Sequence, residues 1–274
     1  MSKTILITGS SDGIGREAAR VLVKKGHHVL LHGRSPHKLE PLEAELSSSG
    51  TVERYVADLS NLDAVIQLAK TVSEKHKALD VLINNAGVLE IPDTPVKDGL
   101  DIRFIVNALA PYLLTKMLLP FLAHEARVIN LSSAAQSPVS FDALSGKHLG
   151  LSAMDAYAQS KLAITMWSRA MAISLGKSGP TIVSVNPGSL LGTKMVKEKF
   201  GIDGKDIHIG ADILVRAALS EAFHDASGTY FDNDKGCFAD PHPDALDTEK
   251  CNHLMAEIDA LLQERGFISK KDPH

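Results

Sequence analysis

Short apolar runs alternate along the chain with longer segments in which apolar residues recur every three or four positions. The short runs are rich in Val, Ile and Leu, which is typical of strands buried on both faces of a parallel sheet. They predict six strands and a candidate seventh: Thr4–Thr8, His28–His32, Glu53–Ala57, Leu79–Asn84, Ala126–Ser132, Thr181–Asn186 and Gly228–Phe231.

The longer segments have the periodicity of helices and lie between the predicted strands. They predict helices over Ile14–Lys25, Pro36–Ser47, Leu62–Lys75, Leu100–Leu122, Ala153–Lys177 and Gly210–Glu221, and another over Thr248–Glu264. This alternation predicts an α/β fold in which helices cover both faces of a parallel sheet. We expect residues 1–274 to form a single domain with a C-terminal extension over 232–274.

Two long segments interrupt the alternation: a Ser/Gly-rich loop over 134–152 and a Gly/Lys-rich loop over 188–209. Both follow the carboxyl ends of predicted strands, where open α/β sheets bind ligands. We therefore expect them to cover a substrate pocket. The second loop offers five apolar side chains for its lining: Leu190, Leu191, Met195, Val196 and Phe200.

Composition excludes several classes of partner. The net charge of −4, with 44% hydrophobic and 23% charged residues, gives no electrostatic footprint for nucleic acid or an anionic membrane. Two cysteines, Cys237 and Cys251, are too few for a disulfide framework and favour free thiols in a reducing compartment. The 12 histidines show no paired metal-ligand spacing, so we predict no metal.

The most apolar window covers residues 105–123 and is interrupted by Asn107, Lys116 and two prolines. This pattern predicts a buried helix rather than a membrane span. The first residues lead directly into a predicted strand, without the pattern of a signal peptide. We therefore expect a cytoplasmic protein with no membrane association.

A glycine-rich turn, TGSSDGIG over residues 8–15, follows the first predicted strand and opens the first helix. Gly9, Gly13 and Gly15 have no Cβ, so the backbone can approach a pyrophosphate closely. The helix N-terminus supplies free N–H groups and a positive dipole end. This placement predicts dinucleotide binding, although the same turn can also serve only as a tight connection.

The end of the second predicted strand indicates which dinucleotide binds. Units specific for NAD place an acid there to hold the ribose 2′-hydroxyl, but this chain has Gly33 followed by Arg34 and Ser35. A guanidinium and a hydroxyl both suit a 2′-phosphate. We predict NADP(H) as the preferred cofactor, with NAD(H) possible if Arg34 is only a solvated loop residue.

Tyr157 and Lys161 lie one helical turn apart. An unperturbed phenol has a pKa near ~10, and a nearby cation lowers it toward the range useful in proton transfer. The pair therefore predicts a general acid or base, although the spacing also occurs by chance on surface helices.

Five motifs in order give the chain a specific resemblance: TGSSDGIG, NNAG (84–87), Asn107 in FIVNALAPYLL, NLSS (130–133) with YAQSK (157–161), and NPG (186–188) followed by Thr193. The chain resembles the short-chain dehydrogenases/reductases, which act on alcohols and carbonyls with NAD(P)(H). The resemblance implies a Rossmann-type, doubly wound sheet of about seven strands in a three-layer α/β/α arrangement.

The resemblance also implies roles for the polar residues. Tyr157 is the proton donor in reduction, Lys161 favours its ionised form and holds the nicotinamide ribose, and Ser133 orients the carbonyl. Asn107 holds a water that links Lys161 to solvent. The family pattern favours Ser133 over Ser132. Further cofactor contacts carried by the resemblance, beside the three glycines of the turn and Arg34 and Ser35, are Ser11, Asp12, Ile14, Asp58, Leu59, Asn85, Ala86, Gly87, Pro187, Gly188 and Thr193.

The segment before Tyr157 resembles the insertion of retinol-dehydrogenase-like and WW-domain-oxidoreductase-like members, here without a membrane anchor. The leading hypothesis is an NADP(H)-dependent enzyme acting on a small, apolar carbonyl or alcohol. An NAD-dependent alcohol dehydrogenase and an NAD(P)-binding sensor with little turnover remain alternatives. Family members commonly pair as homodimers or homotetramers, so the apolar stripe at Ile105, Leu109, Leu113 and Met117 is either core or subunit interface.

Overall fold

The computed structural model describes residues 1–91 and 95–269. Its strands are β1 Thr4–Ile7, β2 His28–Gly33, β3 Val52–Val56, β4 Leu79–Asn84, β5 Val96–Lys97, β6 Leu100–Asp101, β7 Leu122–Leu131, β8 Thr181–Asn186, β9 Tyr230–Asp232 and β10 Cys237–Phe238. Eight of them form one sheet in the order β3-β2-β1-β4-β7-β8-β9-β10. The first seven in this order are parallel, and only β10 runs antiparallel to its neighbour.

The α-helices are α1 Gly13–Lys24, α2 Pro36–Ser47, α3 Leu62–Lys75, α4 Ile102–Phe104, α5 Ala110–Leu118, α6 Phe141–Leu144, α7 Ala153–Leu175, α8 Lys194–Phe200, α9 His208–Leu219, α10 Pro243–Leu246 and α11 Thr248–Glu264. A π-helical turn, Ile105–Leu109, joins α4 to α5. The long helix predicted over 100–122 is shorter at both ends. Leu100 and Asp101 pair in the β5-β6 hairpin, and a 3₁₀ turn at Leu119–Phe121 leads into β7.

Alternation along the central strands builds a separate core on each face of the sheet. Ile5 and Ile7 of β1 belong to a core formed with α1, α2 and α9. Leu6 belongs to the other core, formed with α3, α5, α7 and α11. The three-layer, doubly wound arrangement expected from the sequence is therefore confirmed.

The chain changes direction at the centre of this sheet. From β1 it builds β2 and β3 on one side, and it then crosses to place β4 on the other side of β1. Connections that leave β1 and β4 in opposite directions open a crevice at the carboxyl ends of these strands. The glycine-rich turn and the NNAG motif both lie at this crevice.

The C-terminal segment completes one of the two cores. Helix α11 packs against α7 and buries Leu254, Ile258 and Leu262. Residues 232–264 thus form part of the globular body rather than an appendage.

One helical run, Ile102–Phe121, is long and apolar enough to cross a bilayer, with a mean hydropathy of 1.5. Within the structure, 72% of its most apolar window is buried, as in a core helix. Ile105, Leu109 and Leu113 are almost fully buried inside the chain, and Met117 packs beside them. The apolar stripe therefore serves as core.

Candidate active site

A cavity of about 600 Å³ opens at the carboxyl ends of the parallel strands. It extends across the sheet from the end of β3 to the end of β8. Gly15, Ser35 and Asn107 are predicted site residues that do not line it within the described chain. The other predicted residues do: Gly9, Ser11, Asp12, Gly13, Ile14, Arg34, Asp58, Leu59, Asn85, Ala86, Gly87, Ser133, Tyr157, Lys161, Pro187, Gly188 and Thr193.

The glycine-rich turn packs tightly against the segment that follows β4. Gly9 has φ +66°, and an added Cβ there would lie 2.9 Å from Cα of Ala86. The Thr8 hydroxyl accepts hydrogen bonds from the N–H groups of Asn85 and Ala86, at 3.0 and 3.1 Å. An added Cβ at Gly15 would lie 2.4 Å from Nδ2 of Asn85, so this glycine serves the packing of the turn. Sequence reasoning did not single out the side chain of Thr8.

Asp12 caps helix α1. Its carboxylate accepts the N–H of Gly13 at 2.8 Å and pairs with Lys38 at 3.0 Å. Burial opposes ionisation, but the hydrogen bonds from Lys38 and Gly13 hold the pKa of Asp12 below its usual value. Asp12 therefore fixes the helix terminus that faces the cavity.

The end of β2 packs closely against the side chain of Ser11. An added Cβ at Gly33 would lie 2.9 Å from Oγ of Ser11. The next residue, Arg34, is exposed and lines the cavity. Ser35 precedes helix α2 and lies outside the cavity.

His32, the last but one residue of β2, connects two loops of the site. It is fully enclosed, its Nδ1 accepts the N–H of Gly9 at 3.1 Å, and its Nε2 lies 3.1 Å from the carbonyl of Ala57. Donation to Ala57 requires the proton on Nε2, which leaves Nδ1 as the acceptor for Gly9. Burial lowers the pKa of His32 to about 4, so the ring is neutral at physiological pH. No sequence motif indicated this role, because the contact depends on how the loops meet.

The two candidate serines have different surroundings. Ser132 is buried, and its hydroxyl contacts the carbonyl of Lys161 and the hydroxyl of Thr165. Both serines line the cavity, and the side chain of Ser133 interacts with the phenol of Tyr157 and favours its ionised form. The structure thus brings Ser133 to Tyr157 and commits Ser132 to packing.

Lys161 is buried at the floor of the cavity. Its ammonium donates to the carbonyl of Leu131 at 2.8 Å and lies 5.6 Å from the centre of the Tyr157 ring. Burial lowers the pKa of Lys161 to about 8. Burial also raises the pKa of Tyr157, and the hydrogen bond with Ser133 offsets only part of that effect. Lys161 was expected to lower the Tyr157 pKa; here its ammonium donates to the carbonyl of Leu131, and this role stays a prediction.

Asn107 lies in the π-helical turn, behind the cavity wall. Its amide accepts the N–H of Val88 at 2.8 Å and donates to the carbonyl of Val88 and the hydroxyl of Ser160, both at 2.9 Å. The side chain therefore has its polar atoms engaged and does not reach Lys161. The expectation that Asn107 holds a water beside Lys161 stays a prediction, and the hydrogen bonds of its side chain fix Val88 beside the cavity.

The two long loops, 134–152 and 188–209, differ in how much of the cavity they line. Leu190, Leu191, Met195, Val196 and Phe200 all line the cavity. Part of their loop folds as helix α8, which begins after Thr193, whose hydroxyl accepts the N–H of Val196. From 134–152, only Ala134 and Ala135 line the cavity.

The remainder of 134–152 packs away from the pocket. An aromatic stack joins Phe141 to His253 of α11, and the N–H of Ser140 binds the side chain of Gln159 in α7. Of these two loops, 188–209 therefore supplies most of the cavity lining, because most of the earlier loop packs against α7 and α11.

Residues after β9 brace the loop that follows β8. Asp234 accepts the N–H of Ser189 at 2.9 Å and also binds Nδ2 of Asn186 at 2.9 Å. Asn233 donates to the carbonyl of Pro187 at 2.9 Å. These contacts hold Pro187 and Gly188 at the cavity, and they were not predictable from the local motif.

The arrangement fits a nicotinamide dinucleotide. The cavity is elongated along the strand ends, helix α1 directs its N-terminus toward it, and Gly87 keeps open the space beside the ammonium of Lys161, where a Cβ would lie 3.4 Å from Nζ. At the other end Tyr157 and Ser133 present two hydroxyl groups to the same space. This arrangement can transfer a proton at a carbonyl oxygen.

Comparison with known proteins agrees with this geometry. The family model described as short chain dehydrogenase matches residues 3–201. Retinol dehydrogenase 13 of Homo sapiens is 32% identical over 282 residues, covering 95% of this chain and 84% of that protein. A structure of an uncharacterized protein from Mycobacterium Paratuberculosis has a TM-score of 0.80 and 26% identity, covering 95% of this chain and 93% of that one.

A second solved structure, the landomycin C-6 ketoreductase LanV with bound NADP and rabelomycin, has a TM-score of 0.66 and 26% identity. It covers 84% of this chain and 94% of its own. The fold, the site and these relatives agree that the chain belongs to the short-chain dehydrogenase/reductase family, as an oxidoreductase of CH–OH groups similar to the retinol dehydrogenases.

Proposed function

We propose that the protein is an NADP(H)-dependent oxidoreductase that interconverts a small, apolar alcohol and its aldehyde or ketone. The observation that carries this proposal is the convergence of Tyr157, Ser133 and Lys161 on one end of the cavity. When bound, the nicotinamide cofactor supplies or accepts the hydride.

The chain's own residues manage the oxygen and its proton. Ser133 donates a hydrogen bond to the carbonyl oxygen and orients it, and Tyr157 transfers its phenolic proton to that oxygen during reduction. The raised pKa of Tyr157 keeps the phenol protonated at neutral pH, which suits an acid. Lys161 keeps most of its charge below its pKa of about 8, and its proposed roles are to hold ribose hydroxyls and to stabilise a phenolate in the oxidative direction.

Arg34 supports the preference for NADP(H). Its exposed guanidinium lines the cavity directly after Gly33, the position at which units specific for NAD carry an acid. The structural relative LanV was solved with NADP, in agreement with this choice.

We infer an apolar substrate from the part of the cavity lining that α8 contributes, namely Met195, Val196 and Phe200. The relatives named retinol dehydrogenases act, by that name, on an apolar alcohol. Assembly as a homodimer or homotetramer and a cytoplasmic location are further parts of the proposal and rest on family resemblance and composition.

Titration with NADPH and NADH, followed by fluorescence, tests the cofactor assignment. We expect NADPH to bind at least about tenfold more tightly, and Arg34→Ala to remove most of this preference. Arg54→Ala, an arginine on β3 that pairs with Glu40 and Glu43 outside the cavity, is the matched control and should leave the preference unchanged. Equal affinity for the two cofactors in the unmodified protein would contradict the assignment. Binding of both without turnover on apolar aldehydes would favour the sensor alternative.

A further inference from the structure

A cluster of metal-ligating side chains lies at the opposite end of the sheet from the active site. His28 begins β2, Glu53 lies in β3, and His76 ends helix α3. Among the described residues, their ligand atoms lie within 4.8 Å of one another. We propose that His28, Glu53 and His76 bind a divalent transition-metal ion, with Zn²⁺ the best match.

The strand register explains how the cluster forms. Glu53 pairs with Leu30 across β2 and β3, so His28, two residues before Leu30, extends from the same face of the sheet as Glu53. Helix α3 returns over this face and brings His76 to it. The three positions are 25 and 23 residues apart in sequence, which is why no motif predicted a metal.

The distances suit a zinc ion with one open position. Nε2 of His28 lies 3.0 Å from Oε1 of Glu53, and Nε2 of His76 lies 3.6 Å from Oε2. Tetrahedral zinc with bonds of about 2.0 to 2.1 Å separates its ligand atoms by roughly 3.3 Å. Small side-chain rotations therefore suffice to bind the ion through two imidazoles and one carboxylate.

The surroundings of His28 point to a missing ligand. Its Nε2 is enclosed but has no hydrogen-bond partner among the described residues, since the contact with Glu53 lacks hydrogen-bond geometry. A buried nitrogen in this state loses its interaction with water without a replacement. A metal ion between His28 and Glu53 supplies that replacement. The three side chains retain between 11% and 34% exposure, so an ion can enter from solvent.

Two neighbours modify the site in opposite directions. The hydroxyl of Tyr55 donates to Oε2 of Glu53 at 3.0 Å, and such a hydrogen bond fixes a ligating carboxylate. The same hydroxyl lies 2.9 Å from Nε2 of His76, a contact that the metal ion replaces. The ammonium of Lys75 lies 4.0 Å from the same oxygen and repels a cation. We therefore expect Lys75→Met to tighten metal binding.

Calorimetric titration with ZnCl₂ tests the proposal, using chelator-treated, full-length protein free of any histidine tag. The expected result is one ion per chain, and a melting temperature that rises with zinc concentration. His28→Ala and His76→Ala should each weaken binding by at least about tenfold. Glu53→Gln, which preserves the shape of the side chain, should do the same and serves if a histidine variant fails to fold.

Controls separate this site from other zinc ligands. His253 and Glu257 form an exposed pair at 3.3 Å on one helix, so His253→Ala should leave binding unchanged. Cys237 is an exposed thiol, so Cys237→Ser should also leave it unchanged. Absence of binding, or binding that survives Glu53→Gln and is lost in either control, would overturn the proposal.

Discussion

At the scale of single residues, the surroundings of each hydroxyl decide its chemistry. Ser132 and Ser133 are neighbours that both line the cavity, yet the hydroxyl of Ser132 is engaged by Lys161 and Thr165, whereas Ser133 interacts with Tyr157. Residue type alone does not distinguish them. They differ in the face of the sheet toward which each side chain points, because successive residues point to opposite faces.

His32 shows that a buried neutral side chain can position a cofactor loop. It accepts a hydrogen bond from Gly9, within the turn that should hold the pyrophosphate, and donates to Ala57 beside Asp58. Loss of the ring would leave the N–H of Gly9 without this acceptor. We therefore expect the geometry of the turn, and with it cofactor affinity, to depend on His32.

His32→Leu should weaken NADPH binding by about three- to tenfold and change the response to acid. The pKa of His32 is about 4 in the folded chain against 6.5 for the free side chain. Between these values the unfolded chain binds a proton that the folded chain does not, so stability falls as pH falls from 6.5 toward 4, by about 3 kcal/mol in all.

Denaturant unfolding at several pH values, together with cofactor titration, measures both effects. In the His32→Leu variant, the free energy of unfolding should no longer show this fall between pH 6.5 and 4. His37→Leu, at an exposed histidine of α2, is the control and should change neither quantity. If the unfolding free energy of His32→Leu depends on pH as it does in the unmodified protein, the assignment of a neutral, buried His32 ring is contradicted.

The sequence predicts those site residues whose role is local. Tyr157, Lys161 and the glycine turn are recognisable because their spacing follows the period of a helix or a tight βα connection. The sequence does not reveal the roles of Thr8, His32 and Asp234, since each depends on contacts between segments remote in sequence. The direction of the Tyr157 pKa shift also depends on burial, which the spacing does not report.

At the scale of elements, helix α8 forms one wall of the substrate cavity. It begins after Thr193 and ends at Gly201, which has φ +67°. Threonine before the first turn and glycine after the last are standard helix signals. The sequence thus contained the information for α8, although the Gly/Lys-rich composition favoured a loop.

An ion pair ties α8 to the opposite wall. Lys199 lies 2.6 Å from Glu90, which follows β4 and lines the cavity. Lys199→Met should raise KM for the carbonyl substrate by about three- to tenfold, with a smaller change in kcat, because the wall is less often in place. The charge-reversed pair Lys199→Glu with Glu90→Lys should restore part of the loss.

Steady-state kinetics on an apolar aldehyde measure this effect. Lys197→Met, which breaks an exposed pair with Asp203 and lies on the same helix outside the cavity lining, is the matched control and should leave KM unchanged. A KM for Lys199→Met equal to that of the unmodified protein would show that the pair does not close the cavity.

At the scale of the whole molecule, the C-terminal helix joins the catalytic half of the fold. Asp259 of α11 accepts hydrogen bonds from the hydroxyl of Tyr112 at 2.8 Å and from the ammonium of Lys116 at 2.9 Å. Burial, with the negative charge of Asp259, raises the pKa of Tyr112. A subunit interface through α5 and α7 would have to use the faces that α11 leaves uncovered.

Asp259→Ala should destabilise the protein by about 2 to 4 kcal/mol, because it leaves a buried hydroxyl and a largely buried ammonium without their acceptor. Denaturant unfolding measures the change. Glu257→Ala, at an exposed position of the same helix, should stay within about 0.5 kcal/mol of the unmodified protein. A loss of similar size in both variants would contradict a specific contribution of the contacts of Asp259 with Tyr112 and Lys116.

The overall architecture was largely predictable, because the β-α alternation and the right-handed crossovers of parallel strands leave few arrangements. The short β5-β6 hairpin and β10 were missed. Two-residue strands such as Val96–Lys97 and Cys237–Phe238 have too little pattern to detect. The packing of 134–152 on α7 and α11 was also missed, since its partners lie far along the chain.

Turnover of the Tyr157→Phe variant tests the central claim most directly. NADPH-dependent reduction of an apolar aldehyde is measured beside NADPH binding by the same protein. The account predicts that binding stays within about threefold while turnover falls by at least about 100-fold, since only the proton donor is lost. Turnover within about tenfold of the unmodified protein would contradict the assignment of Tyr157 as the acid.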